Sequence, residues 1–156
     1  MKSNPWLGFI FRIFIGFIFA YAGFSKLMEP VENFRGMIAE YQVLPYGMVP
    51  VLAAVLPWME FLAGVFMLLG FAIPFTAFIL GGLSLSFLIV LGASHVLLDE
   101  GSKNCGCFGQ NGLIHLTVRQ VFAMDLINLA IAFKLFSMKR TPLALDNSFR
   151  EENGKK

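Results

Sequence analysis

Apolar residues fall in four long runs, separated by short segments where polar and charged residues collect. The first run extends from Trp6 to Leu27, with a charge only at Arg12 in its body and at Lys26 near its end. Between Glu60 and Asp99 there is no formal charge at all. That stretch is too long for one helix, and Gly70-Phe71-Ala72-Ile73-Pro74 divides it, because glycine permits a turn and proline stops a helix interior. A spanning helix needs about 20 mostly apolar residues to cross a hydrocarbon core of about 30 Å. The pattern therefore predicts four spans, at 6–27, 48–69, 74–98 and 116–136. The fold class is an all-α membrane protein, a four-transmembrane-helix bundle occupying residues 1–138.

Two segments depart from this pattern. In Pro30–Pro45, Val31, Phe34, Ile38 and Tyr41 recur at helical spacing while Glu32, Arg35 and Glu40 fall elsewhere on the wheel. This predicts a short amphipathic helix at the outer interface, or a connecting helix in solvent. The stretch 139–156 is polar, without apolar periodicity, and reads as a disordered tail.

Composition supports a membrane setting: 57% of the residues are hydrophobic, 14% are charged, and the mean hydropathy is +0.71. A soluble domain carries about 25% charged residues. The formal net charge of +2 is too small for a nucleic-acid footprint. Charge also orients the chain. Lys139, Arg140, Arg150, Lys155 and Lys156 lie in the tail and Lys2 at the N-terminus, whereas acidic residues dilute Lys26, Arg35 and Lys103 on the other side. Lysine and arginine favour the cytoplasmic face. Both termini are expected there, with 28–47 and 99–115 facing the bacterial periplasm across the inner membrane. A signal peptide cleaved before Gly23 is the competing reading of Lys2, Ile13–Phe19 and Ala20-x-Ala22. The charge asymmetry argues against it.

The candidate chemistry begins in the polar, glycine-rich loop between the third and fourth runs, which carries Cys105 and Cys107. Cysteines one residue apart close only a small, strained ring, and Gly106 best accepts its backbone angles. Such a bond would remove almost no chain entropy, and strain makes a disulfide labile. The pair is therefore better suited to redox exchange than to stapling. A static disulfide, a silent reduced pair, and a zinc or copper site completed by His95 and His115 are the alternatives. The histidine and cysteine spacing matches no zinc signature, so no metal ligands are assigned.

Ionisable residues inside the apolar runs are the second signal, since a charge at the bilayer centre costs about 2.5–3.5 kcal/mol on insertion scales. Glu60 lies about twelve residues into the second run, roughly 18 Å from its outer end. Asp125 lies mid-way along the fourth, with Asn128 less than a turn further on. Arg12, Arg119 or Lys26 would suit as partners, and the sequence does not choose among them. Lys26 is expected to snorkel to the headgroups. Gly16, Ala20 and Gly23, and Gly81, Gly82, Ser84 and Ser86, are small residues that let helices approach closely.

Ala22-Gly-Phe-Ser-Lys-Leu-Met-Glu-Pro30, Tyr41-Gln-Val-Leu-Pro45, Leu56-Pro-Trp-Met-Glu-Phe-Leu-Ala-Gly64 and Cys105-Gly-Cys-Phe-Gly109 together resemble the MauE branch of the MauE/DoxX membrane proteins. The Cys-Gly-Cys-Phe-Gly segment is fairly specific, and Ala-Gly-x-x-Lys-Leu is shared more widely. The resemblance covers about Phe11 to Phe136. It implies a compact four-helix bundle and a redox-associated role, the best-known member serving maturation of methylamine dehydrogenase. It also implies a thioredoxin-like periplasmic partner or client enzyme. Carried over by position, Cys105 and Cys107 match the paired cysteines, Lys26 the end of the first helix and Glu60 the acidic position of the second.

The favoured expectation is an inner-membrane thiol–disulfide component. Cys105 and Cys107 exchange a disulfide, and His95, Arg119 or Lys26 stabilise the thiolate. A quinone near Glu60 is the cofactor such a role allows, although no sequence feature demonstrates its pocket. The rivals are a non-catalytic assembly factor docking through Pro30–Pro45, and a small-solute or metal transporter using Glu60 and Asp125.

Overall fold

A computed structural model describes residues 5–40, 45, 47–98 and 118–137. Its helices, in order, are α1 (Pro5–Leu27), α2 (Val31–Glu40), α3 (Val49–Leu69), α4 (Ile73–Leu98) and α5 (Val118–Ser137). All but α2 are long and apolar enough to cross a membrane, over Trp6–Leu27, Val49–Leu69, Ile73–Ala93 and Arg119–Ser137. The chain is a four-helix membrane bundle. The outward side chains are what lipid accepts: Trp6, Ile10, Phe17, Phe75, Phe78 and Phe133 are exposed, while Arg12, Lys26, Glu60, Thr76, Ser84, Asp125 and Asn128 are buried. Polar groups are turned inward because the hydrocarbon offers them no hydrogen-bond partners.

The break between α3 and α4 follows from its sequence. Gly70 takes a left-handed conformation (φ 71°), and its N–H donates to the Met67 carbonyl while that of Phe71 donates to the Phe66 carbonyl. These two bonds satisfy carbonyls that a helix end otherwise leaves open. Ala72 also has a positive φ, 44°. Pro74 is the second residue of α4, where its missing N–H has no helical partner to lose. The Thr76 hydroxyl donates back to the Phe71 and Ala72 carbonyls at 3.0 and 3.2 Å.

α1 packs most extensively on α3, and α4 on α5. Glycine sets the first contact. A Cβ built at Gly64 would meet the Ala20 backbone and lie 2.9 Å from the Gly16 carbonyl oxygen. One built at Gly23 would lie 2.8 Å from both the Phe61 Cα and the Pro57 carbonyl oxygen. Gly16 faces Leu68, Ala20 faces Gly64 and Gly23 faces Phe61, so the helices run antiparallel with backbones in direct contact. Gly81 lies 3.4 Å from Ala132 by the same construction, whereas Gly82 has open space and makes no such approach.

The interior divides into two halves. Near the α3–α4 turn, Met67, Ile73, Ala77, Leu80, Ile131 and Leu135 form an apolar core. The other half, toward the ends of α4 and α5 that the 99–117 segment joins, contains Lys26, Glu60, Asp125 and Asn128, while Arg12 is buried nearer the opposite end of α1. α2 lies across that end, against α3 and α1. Of its expected apolar face, Phe34 is buried and Ile38 half-buried, but Val31 is 44% exposed. Tyr41 lies outside the described residues, as do residues 138–156, the expected tail.

Candidate functional site in the polar half of the bundle

The close approach of α1 and α3 decides where Lys26 goes. Lys26 is three residues after Gly23, and Glu60 four before Gly64, so both project from the same glycine-marked stripes. The Lys26 Nζ donates to Glu60 Oε1 at 2.8 Å and to Oε2 at 2.7 Å. Each side chain is 1% exposed. The expectation that Lys26 snorkels to the headgroups is therefore wrong: a carboxylate level with it on the neighbouring helix draws the ammonium inward. Of the three cations open as partners for Glu60, the structure selects Lys26.

Aromatic rings complete the surroundings of the ammonium. Phe34 of α2 and Phe87 of α4 each place their ring centroids 5.1 Å from Nζ. A ring face attracts a cation, more strongly where water is excluded. Phe34 thereby ties α2 to the charge pair.

α5 contributes the other polar groups. Asp125 and Asn128, less than one turn apart, are both buried and line a cavity with Lys26, Glu60, Ala22, Phe87 and Met124. Its volume is about 30 Å³. A water needs about 10–15 Å³ by this measure, so one or two fit. Asn128 is 1% exposed, and neither its Oδ1 nor its Nδ2 has a hydrogen-bond partner among the described residues. Asp125 does not pair directly with an arginine across this cavity, because Lys26 is the cation lining it.

Residues 4–138 match the family described as Methylamine utilisation protein MauE. The chain belongs to the MauE family. Methylamine utilization protein MauE of Paracoccus denitrificans is 36% identical over 111 residues, which cover 70% of this chain and 58% of that protein. The chain thus spans little more than half the length of that relative. No solved structure matches.

The span matched to MauE contains the whole cavity and both cysteines. Among the residues singled out from sequence, Lys26, Glu60 and Asp125 converge on one site. Arg119 does not join them: it is exposed on the first turn of α5. Arg12 is buried beside Phe9, with its guanidinium 5.1 Å from the ring, in the part of α1 away from the cavity. His95 falls near the C-terminal end of α4. Cys105, Cys107 and His115 lie outside the described residues. Phe34, Phe87 and Asn128 surround the candidate site without having been assigned to it from the sequence. Asn128 carried a signal, since it shares a helix face with Asp125. The two phenylalanines carried none, being two of 18.

Proposed function

We propose that this MauE-family protein is an inner-membrane thiol–disulfide component serving maturation of a periplasmic enzyme, in a system of the methylamine-utilisation type. The observation that carries the reading is the covalent position of the cysteines. Cys105-Gly106-Cys107 connects two membrane-spanning helices at the end of the bundle that also holds the buried polar cavity. The family description and the name of the Paracoccus denitrificans relative support the link to methylamine utilisation. The basic tail supports a cytoplasmic location for both termini, which leaves the cysteine loop on the oxidising side.

The exchange balances without a bound cofactor. One thiolate of a client dithiol attacks a sulfur of the Cys105–Cys107 disulfide, forming a mixed disulfide and releasing the other cysteine as thiolate. The second client thiolate attacks the mixed disulfide, so two electrons reach Cys105 and Cys107 and the client's two protons are taken up there. The disulfide of a thioredoxin-like partner then accepts the same two electrons and two protons, restoring the pair. The lone cysteine of a Cys105→Ser or Cys107→Ser protein should trap the partner as a mixed disulfide, visible as a reducible shift on a non-reducing gel. Client oxidation that proceeds fully in both variants contradicts the proposal and favours a non-catalytic assembly factor.

A further inference from the structure

Three features of the cavity bear on what it holds. Its volume, about 30 Å³, is that of one or two water molecules. Asn128 lines it beside Asp125, and its amide oxygen and nitrogen make no well-formed hydrogen bond among the described residues although the residue is 1% exposed. Buried amides without partners are rare, and ordered water is a usual explanation. The charges are also uneven. Lys26 and Glu60 neutralise each other through their 2.7 Å contact, which leaves the Asp125 carboxyl without a compensating cation on the cavity wall.

We infer that the cavity is a hydrated proton-binding site, in which one or two waters bridge Asn128 to the Asp125 carboxyl and Asp125 takes up and releases a proton. Protonation forms an O–H bond on Asp125 and breaks one in hydronium, leaving water; release reverses both changes. The proton brings the site to net neutrality beside the fixed Lys26–Glu60 pair. A mixed donor and acceptor set suits water, which does both. It suits a bound metal cation less well, since an amide N–H and an ammonium repel one. Facing the carboxyl, α1 contributes Lys26 and α3 contributes Glu60, while Phe87 from α4 brings no charge. The inference uses neither cysteine, so it stands or fails separately from thiol exchange.

The chain has three aspartates, Asp99, Asp125 and Asp146. A full-length Asp99→Asn/Asp146→Asn protein, labelled with ¹³Cγ-aspartate in lipid nanodiscs, therefore reports on Asp125 alone, with the site itself intact. Its carboxyl resonance is expected to titrate in one step, and Asn128→Leu in the same background should shift the midpoint. Replacing sodium by choline at fixed pH should leave the resonance in place. A resonance that does not titrate while the protein stays folded overturns the inference, as does a midpoint unmoved by Asn128→Leu. A resonance that moves with sodium at fixed pH overturns it in favour of a monovalent cation site.

Discussion

Lys26 and Glu60 carry opposite charges through an apolar bundle, and each makes the other tolerable. Taking a charge out of water costs several kcal/mol, and breaking a buried pair by removing one member costs about 3–5 kcal/mol because the other stays uncompensated. Lys26→Met and Glu60→Leu are each expected to destabilise the bundle by about that amount in denaturant unfolding. The double variant should recover most of the loss, since it leaves no orphaned charge. Additive losses in the double variant would mean that the two side chains act independently. Half of this was legible in the sequence. A glutamate in the middle of an apolar run demands a partner, but the partner depends on how two helices are rotated and shifted relative to each other. That register is set by backbone contact at Gly16, Gly23 and Gly64, of which Gly16 and Gly23 stand out in the sequence as a small-residue stripe and Gly64 does not.

At the scale of helices, α1 and α3 behave as a unit because glycines let their backbones touch. Gly23→Leu and Gly64→Leu put side-chain atoms where the Phe61 and Ala20 backbones lie, so no rotamer relieves the clash. Both should lower the yield of folded protein and its unfolding temperature. Gly82→Ala is the control. A Cβ there meets nothing within 4 Å, and alanine in a helix is favoured over glycine by about 0.5–1 kcal/mol. Stability equal to or above that of the parent is expected, although Gly23 and Gly82 read alike as small residues in apolar runs. The four apolar helices were readable because hydropathy and the Gly70–Pro74 break act locally. The face of α2 was only partly so: Phe34 and Val31 are three residues apart, yet Phe34 reaches the Lys26 ammonium and Val31 is exposed. Periodicity gives a stripe, and contact with a neighbour decides which part of the stripe is covered.

For the molecule as a whole, the four spanning helices alternate in direction, so the connection bearing Cys105 and Cys107 lies at the end opposite the termini and the α3–α4 turn. With the basic tail in the cytoplasm, a membrane-impermeant maleimide added to intact spheroplasts should label the reduced loop cysteines. In a protein lacking them, it should not label a cysteine introduced at Ser148. The reversed pattern would invert the topology. The division of the interior into an apolar core and a polar half at the cysteine end was not legible, because it needs the pairing of four helices rather than the pattern of any one.

The central claim is that Cys105 and Cys107 cycle between disulfide and dithiol. Thiol trapping in growing cells tests it most directly: acid quenching, alkylation with a mass-tagged maleimide, and separation of the oxidised and reduced forms of this protein. The account predicts a mixed population that shifts toward the dithiol when the thioredoxin-like partner is depleted and back toward the disulfide on adding an oxidant. A pair that stays fully oxidised, or fully reduced, under both treatments would contradict it.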